Sequence, residues 1–219
     1  MDTLLMRFSG PLQSWGVQSQ FTIRDTGREP SKSGVLGLLC AALGRPRSVP
    51  IDDLNALRMG VRIDREGKMS WDYHITQNVL RANGNIKISE VSTRYYLADA
   101  IFLVGLEGKK DLLEQIQQAL MHPKWILFLG RKAFPPSEPI WLADGLRFNE
   151  ILEKSLFSYP CICSLGRQPK TDQLRMVIED PKGFEIRPDT PISFMDRLFI
   201  QRRVRTQFIP LPAKLLSSE

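Results

Sequence analysis

The chain has 219 residues, and its 30 lysines and arginines exceed its 24 aspartates and glutamates, giving a formal net charge of +6 at pH 7. Apolar residues make up 42% and charged residues 25% of a chain with 15 glycines and 15 prolines, a composition that excludes disorder, collagen-like repeats and low-complexity arrays. The longest uncharged apolar run, residues 35–43, is shorter than the roughly 18 residues of a membrane span, and Asp2 interrupts a signal-peptide pattern. We therefore expect a cytoplasmic protein that does not enter a membrane.

Cysteines and histidines are too few and too scattered for a disulfide framework or a metal centre. Cys40 lies inside an apolar helical pattern, and Cys161 and Cys163 form a C-x-C pair without a second pair of ligands. His74 and His122 are far apart in the sequence. We expect neither a metal site nor a cofactor.

The first elements predicted along the chain are a strand and a buried helix. Apolar side chains alternate along residues 3–8, which predicts a short strand. Residues 32–43 are apolar almost all round and predict a buried helix. Ser31 is the predicted N-cap of this helix, and Gly44 is predicted to end it.

A hairpin and an insertion are predicted next. Residues 61–66 and 69–74 flank Gly67 and predict the two strands of a hairpin. Residues 75–96 have no clear periodicity and contain the turn signal Asn83-Gly84-Asn85. We interpret residues 75–96 as a protruding insertion.

The following elements complete an α+β pattern. Residues 98–106 predict a buried strand, residues 110–121 an amphipathic helix and residues 125–129 a fourth strand. The resulting order, β-α-β-(β)-β-α-β, is that of a ferredoxin-like sheet with two helices on one face and the other face free. We assign this domain to residues 1–134.

A smaller, mostly β C-terminal part is predicted for residues 146–219. It is expected to contain a helix at residues 146–156 and strands at residues 159–164, 174–178, 184–187 and 198–206.

Arginines near the C-terminus are the first candidate phosphate contacts. Arg197, Arg202, Arg203 and Arg205 fall within nine positions. Because side chains alternate along a strand, Arg203 and Arg205 would share one face. A phosphate-binding stripe is one interpretation, and a solvated basic edge that discourages strand pairing is the other.

Two further basic segments are candidate phosphate contacts. Arg131 and Lys132 follow Gly130, where the backbone can approach a ligand closely. Arg24, Arg28 and Lys32 lead into the predicted helix of residues 32–43, whose N-terminal N–H groups and dipole favour anions.

An ATP-binding loop is not expected at the start of this helix. Lys32 stands where a Walker A loop has glycine, and Ser33 stands where that loop has lysine. A helix N-terminus that holds a phosphodiester is a looser requirement, and residues 24–34 meet it.

Aromatic and amide side chains lie near these cations in the sequence. Single-stranded RNA is held by such a mixture of flat rings, amides and guanidinium groups, and each stacked base contributes roughly 1 to 3 kcal/mol. Ordinary core packing is the alternative for Trp15 and Trp71. The residues concerned are Gln13, Trp15, Trp71, Tyr73, His74, Gln77, Tyr95 and Tyr96.

The neighbours Tyr73 and His74 also permit a catalytic hypothesis. A base that activates a 2′-hydroxyl, next to a cation that stabilises the charged phosphorane, could cleave RNA without a metal. No second histidine is close to His74 in the sequence, and a hydrogen-bonding role for this residue is the alternative.

Four motifs, taken in order, resemble the fifth Cas protein family, subtype I-E. They are G-P-L-Q-S-W-G at residues 10–16, P-S-K-S-G-V-L-G-L-L at residues 30–39, D-Y-H at residues 72–74 and F-L-G-R-K at residues 128–132. The arginine-rich segment 197–205 is similar to that subtype too. The resemblance extends over nearly the whole chain.

The resemblance implies a RAMP protein with an RRM-like ferredoxin fold, whose thumb-like hairpin would correspond to residues 75–96. It implies a non-catalytic subunit of the type I-E CRISPR complex Cascade that binds and caps the 5′ handle of the guide crRNA in antiviral defence. The implied partners are CasC backbone subunits and the large subunit CasA, with target DNA bound by the assembled complex. In the related subtype I-C the equivalent protein is itself the endoribonuclease that processes precursor crRNA, so a metal-free endoribonuclease stays the alternative.

All candidate RNA contacts are expected to converge on one groove. Those in matching motifs are Gln13, Trp15, Lys32, Ser33, Tyr73, His74, Arg131 and Lys132, and those proposed from charge or polarity are Arg24, Arg28, Gln77, Arg94, Arg202, Arg203 and Arg205.

Overall fold

The strands fall into two sheets in the computed structural model, which describes residues 1–17, 22–163 and 171–212. The strands are β1 (Asp2–Ser9), β2 (Leu12–Gln13), β3 (Ile23–Arg24), β4 (Arg58–Arg65), β5 (Lys68–Leu80), β6 (Ile86–Ala98), β7 (Ile101–Gly108), β8 (Trp141–Arg147), β9 (Gln173–Glu179), β10 (Glu185–Ser193) and β11 (Leu198–Pro210). The helices are α1 (Lys32–Leu43), α2 (Asp52–Asn55), α3 (Lys110–Met121) and α4 (Leu152–Ser158). None of these described helices is long and apolar enough to cross a membrane.

A seven-stranded sheet, in the order β10-β11-β9-β4-β7-β1-β8, forms the body of the protein. The elements β1, α1, β4, β7, α3 and β8 follow one another as β-α-β-β-α-β, and their strands are neighbours in this sheet with antiparallel pairing. The C-terminal strands continue the same sheet because β9 pairs with β4. The mixed α and β composition of the prediction is confirmed.

Helices α1 and α3 have the predicted bounds and pack on one face of the sheet. The Ser31 hydroxyl accepts a hydrogen bond from the Gly34 N–H at 3.2 Å, and Gly44 ends α1 with φ +70°. Both are local signals, which is why the sequence predicts this helix well. The core beneath the two helices includes Leu4, Phe8, Leu36, Phe102, Val104, Ile116 and Val177.

The opposite face, predicted to be free, is covered by α4. Leu152 and Leu156 of α4 are fully buried against this face. They fit closely because Gly60 and Gly105 have no side chains, and a Cβ atom at either glycine would lie within 2.7 Å of a leucine methyl group. The central strands of the sheet are therefore buried on both sides.

Two charged side chains, Arg62 and Asp64, are also buried beneath α4. Both lie in β4 on the face that α4 covers, and both are 0% exposed. Arg62 Nε lies 2.6 Å from an Asp64 carboxylate oxygen, and the guanidinium also donates to the carbonyl oxygens of Leu156 and Pro160 at 2.7 and 2.8 Å. This buried ion pair anchors the chain after α4.

The predicted strand at residues 125–129 is wrong, because β8 occupies the sheet edge beside β1. The loop is held elsewhere: the N–H groups of Lys124 and Trp125 donate to the carbonyl oxygens of Ala42 and Ala41 at the end of α1. These bonds replace a strand ladder, so Arg131 and Lys132 follow a loop and not a strand.

Three other predicted elements differ from those in the structure. Strands β4 and β5 do not pair with each other, since β4 lies between β7 and β9 whereas β5 pairs with β6. The predicted helix at residues 146–156 begins only at Leu152. The predicted strand at residues 159–164 is reduced to a single bridge at Cys161, and residue 164 lies outside the described residues.

The insertion is a long hairpin, larger than predicted, with the expected turn. Its strands β5 and β6 each have 13 residues, and Gly84 in the turn has φ +80°. At its base β6 pairs with the short strands β2 and β3, with Arg24 opposite Arg94. The hairpin base is thereby fixed beside the start of α1.

Candidate nucleic-acid interface

A cleft of about 580 Å³ lies where the hairpin base, the start of α1, the loop at Gly130 and the β10–β11 turn meet. We call it the arginine cleft, after four of its lining residues: Arg24, Arg47, Arg94 and Arg131. Ser33 and Gly34 of α1 line it too. The sequence-predicted residues Arg24, Ser33, Arg94 and Arg131 are thus brought together although they are far apart in the chain.

Arg131 is held in the cleft by backbone carbonyl groups. One of its terminal nitrogens donates to the carbonyl oxygen of Tyr95 at 2.9 Å and to that of Arg24 at 3.2 Å. Its guanidinium carbon lies 5.5 Å from the centre of the Phe134 ring. These contacts fix the side chain between the hairpin base and the loop without neutralising its charge.

The four arginines of the cleft have no ion-paired carboxylate in the part of the chain that the structure describes, although Asp25 lines the cleft with them. Within the described residues, none of Arg24, Arg47, Arg94 and Arg131 forms an ion pair with an aspartate or glutamate. The pKa of Arg131 is lowered by burial and by the nearby charge of Arg94, although Asp72 and the cleft-lining Asp25 act in the opposite direction. An anion bound here would relieve this repulsion.

Lys32 does not reach the cleft, although it was predicted to bind RNA. Its side chain is buried and its ammonium group lies 2.9 Å from Glu179 and 3.2 Å from the Asn55 carbonyl oxygen. The Lys32 N–H donates to Asp189 at 2.8 Å. Lys32 therefore ties α1 to the C-terminal strands and leaves no group for a ligand.

Trp15 and Gln13 belong mainly to the core. Trp15 is 1% exposed and stacks on Phe8 with ring centres 5.4 Å apart. The Gln13 amide donates to the carbonyl oxygens of Phe8 and Ala100 and accepts from the Trp15 indole at 3.2 Å. The core-packing alternative holds for Trp15, which contributes only a wall to the arginine cleft.

The aromatic side chains of the hairpin are exposed, in contrast to Trp15. Trp71 is 54% and Tyr73 66% exposed, and their rings meet edge to face at 5.0 Å. The core-packing alternative for Trp71 is wrong. Gln77 is exposed on the same face of β5, nearer the tip.

His74 lies on the opposite face of β5 from Tyr73, because neighbouring side chains in a strand point to opposite faces. Tyr73 and His74 therefore cannot act together on one phosphate group. In the described part of the chain no carboxylate hydrogen-bonds to the His74 ring. The strand geometry therefore does not bring the Tyr73 and His74 side chains together as a pair.

The C-terminal arginines are divided between the two faces of the sheet. Arg202 is buried and lies 2.7 Å from Asp189. Arg203 and Arg205 share the other face as predicted, where Arg203 donates to the Gly183 carbonyl oxygen and Arg205 pairs with Asp180 at 3.3 Å. None of the three lines the arginine cleft.

Arg28 and Lys132 are exposed beside the cleft without lining it. Conversely, sequence reasoning missed Arg47 and Phe194, which do line it. The signal for Arg47 was its place in a short basic loop directly after the glycine that ends α1. Phe194 has no comparable signal, because only the pairing of β10 with β11 places its turn beside α1.

Solved structures with the same fold define the class of protein. One described as "Crystal structure of Cas protein" superposes with a TM-score of 0.79 and 42% identity, covering 96% of this chain and 98% of that one. Another, described as "CRISPR RNA-guided surveillance complex", gives a TM-score of 0.80 and 30% identity, covering 96% of this chain and 91% of that one. The fold is that of CRISPR-associated proteins.

The family model for "CRISPR-associated protein (Cas_Cas5)" matches residues 3–207. The chain therefore belongs to the Cas5 family. A related protein, the CRISPR system Cascade subunit CasD of Escherichia coli (strain K12), is 31% identical over 173 residues, which cover 71% of this chain and 76% of that protein. The family expected from the sequence motifs is confirmed.

Proposed function

We propose that the protein is a non-catalytic RNA-binding subunit of a Cascade-type CRISPR surveillance complex, and that it holds the 5′ handle of the guide crRNA. The observation that carries this proposal is the arginine cleft, where four guanidinium groups without carboxylate partners in the described chain surround a space of about 580 Å³. Phosphate contacts supply most of the affinity for nucleic acids. The relationship to a Cascade subunit supports the complex.

The hairpin supports recognition of an unpaired strand. Exposed aromatic rings are platforms on which unstacked bases lie, and Trp71 and Tyr73 offer two such rings. The backbone would follow the arginines at the hairpin base. In this arrangement base pairing by the guide RNA recognises the target sequence, and the protein holds the guide in position.

The proposal includes the fold and the assembly that the family resemblance implies. The strand order β4-β7-β1-β8 with α1 and α3 supports a ferredoxin-like RAMP domain that runs beyond the expected limit at residue 134, because β8 lies at Trp141–Arg147, and a β-rich part follows it in the expected range 146–219 and continues the same sheet. CasC backbone subunits and the large subunit CasA are the proposed protein partners. The assembled complex, and not this chain alone, would bind target DNA.

The proposal is tested by guide retention in the assembled complex. The complex containing Arg94→Ala and Arg131→Ala together should assemble but lose crRNA on washing, since two cleft cations are removed. A matched control removes two exposed lysines on other elements, Lys154 and Lys182. Normal guide retention in the cleft variant would refute the proposal in favour of a purely structural subunit.

The ribonuclease alternative has its own test. The full-length protein incubated with precursor crRNA in EDTA, between about pH 6 and 9 where histidine and perturbed lysines titrate, should leave the RNA intact. Cleavage that His74→Ala abolishes would show that this chain is an endoribonuclease.

A further inference from the structure

A second cavity of about 600 Å³ adjoins the arginine cleft and has a different character. Its walls are the exposed side of α1, the loop at residues 125–130 and the β10–β11 turn. We call it the aromatic pocket, after Trp125, Phe128, Phe194 and Phe199, which line it. Its volume falls in the range of about 300–1,000 Å³ typical of small-ligand sites.

The two cavities form one continuous space. Arg24, Ser33, Gly130, Phe194 and Phe199 line both of them. A ligand with its charged part in the arginine cleft could therefore place an attached flat group in the aromatic pocket. Arg94 and Arg131 line only the arginine cleft, and the rings of Trp125 and Phe128 line only the aromatic pocket, so the two ends of the space suit the phosphate and the base of a nucleotide.

The rim of the aromatic pocket is positive. Arg24, Arg47 and Arg197 line it, and across the described residues none of these three forms an ion pair with a carboxylate. No aspartate or glutamate is among the described residues that line the pocket. This charge pattern disfavours a basic peptide partner and favours an anion attached to an apolar ring.

The β10–β11 turn that supplies two of the rings is held in a defined shape. The Ser193 hydroxyl lies 2.7 Å from the Asp196 carboxylate, and the Asp196 N–H donates back to that hydroxyl at 3.1 Å. Arg197 follows with φ +55°, an uncommon conformation for an arginine. A strained backbone conformation of this kind persists only where the surrounding structure holds it. In this conformation Arg197 lines the rim of the pocket.

We propose that the aromatic pocket takes one unpaired nucleobase, turned out of a single-stranded RNA whose phosphates lie in the arginine cleft. This inference rests on the proposed RNA-binding function. It adds a base-binding subsite formed by Trp125, Phe194 and Phe199, distinct from the rings of the hairpin. Recognition there is by stacking and burial of a ring, so different bases are accepted.

The test compares three labelled probes on the full chain by fluorescence anisotropy: a uridine octanucleotide, an adenosine octanucleotide and an abasic ribose-phosphate octamer. The wild-type protein should bind the abasic octamer at least about tenfold more weakly than the other two, the size expected for a stacked base. Phe199→Ala should weaken the two base-bearing probes by about tenfold and the abasic octamer by less than about twofold, since Phe199 lines both cavities but carries no charge for a phosphate. Phe157→Ala, on α4 and 49% exposed against 46% for Phe199, is the matched control and should change nothing.

The outcomes separate this inference from the proposed function. Salt-dependent binding of all three probes with equal affinity, or equal loss of all three in Phe199→Ala, would overturn the base subsite while the phosphate site stands. Absence of binding to any probe would overturn both. If Phe199→Ala does not fold, the base subsite is tested instead with Trp125→Ala and with photocrosslinking of a 5-iodouridine octamer to the wild-type protein. Crosslinks at Trp125, Phe194 or Phe199 support the subsite, and crosslinks only at Trp71 and Tyr73 overturn it.

Discussion

Gly130 touches the backbone of Ser14 so closely that a Cβ atom on Gly130 would lie 1.7 Å from the Ser14 carbonyl oxygen. The neighbouring Ser14 N–H donates to the Leu129 carbonyl oxygen at 3.1 Å. Gly130 also has φ +92°, in the region that favours glycine. This contact brings the loop against the end of β2 and sets Arg131 beside Arg24, so the arginine cleft depends on it.

Gly130→Ala should therefore displace the loop and weaken RNA binding by about tenfold or more, with a loss of stability of about 2–4 kcal/mol. Binding isotherms and denaturant unfolding measure the two effects. Gly84→Ala is a matched control, because Gly84 has φ +80° but a Cβ atom added there would have no neighbour within 4 Å. This control should lose only about 1–2 kcal/mol from the backbone conformation and bind RNA normally. Equal RNA affinity in both variants would show that the loop does not shape the site.

Removal of a single cleft cation should change the salt dependence of RNA binding. For a single strand, the slope of log affinity against log salt is about −0.7 per neutralised phosphate. Arg131→Ala should make the slope less steep by about 0.7, whereas Arg203→Ala, on the other face of the sheet, should leave it unchanged. A less steep slope in Arg203→Ala, with no change in Arg131→Ala, would indicate that the RNA phosphates bind the face of the sheet that α4 covers.

Lys32→Met should be a stability variant and not a binding variant. The substitution leaves Arg202, 3.9 Å away, as the ion-pair partner of the Glu179 carboxylate among the described residues. Breaking a buried pair by removing one partner costs about 3–5 kcal/mol, and Arg202 should reduce this to about 2–3 kcal/mol. Urea unfolding should show that loss, and the salt slope of RNA binding should equal that of the wild type. A folded variant of normal stability with a less steep slope would place Lys32 in the site.

The ion pair between Arg58 and Glu153 should make α4 docking sensitive to acid. The hydrogen bond from Arg58, opposed by burial, lowers the pKa of Glu153 below its ordinary value. The folded state therefore binds this proton less readily than the unfolded state, so the pair stabilises above the unfolded pKa of about 4.3 and loses its effect as the pH falls through the lower folded value.

Glu153→Gln should accordingly cost about 0.5–1 kcal/mol at pH 7 and almost nothing near pH 3. Unfolding free energies at the two pH values test this expectation. Glu114→Gln, which removes an exposed pair 3.7 Å from Lys110, is the control and should cost less than about 0.5 kcal/mol at either pH. A cost for Glu153→Gln that is the same at both pH values would exclude the ion pair as its cause.

The sequence predicts α1 to the residue because local chemistry sets its limits, as Ser31 and Gly44 show, and it predicts α3 from its apolar stripe and from Pro123 after it, although α3 has no side-chain cap. Strand β8 was missed because the place beside β1 is decided by the whole sheet, and residues 125–129 are more apolar than β8. The local periodicity of a segment does not indicate which distant strand it pairs with.

The same division holds for the candidate site. Arg24 and Arg94 were predicted from charge and Arg131 from its motif and its charge, and the fold brings them into one cleft. Lys32 has the same local signal but points into the protein, because Glu179 on a distant strand neutralises it there. Charge in the sequence identifies candidates, and only the burial of each side chain decides between a ligand contact and an internal ion pair.

Photocrosslinking of single-stranded RNA containing 4-thiouridine to the full chain, followed by peptide mapping, tests the central claim most directly. The arginine cleft, its neighbouring pocket and the rings of the hairpin predict adducts on peptides that cover residues 22–34, 71–73, 92–97, 125–131 and 193–199. Adducts confined to α4 and to the face of β11 that carries Arg203 and Arg205 would contradict it.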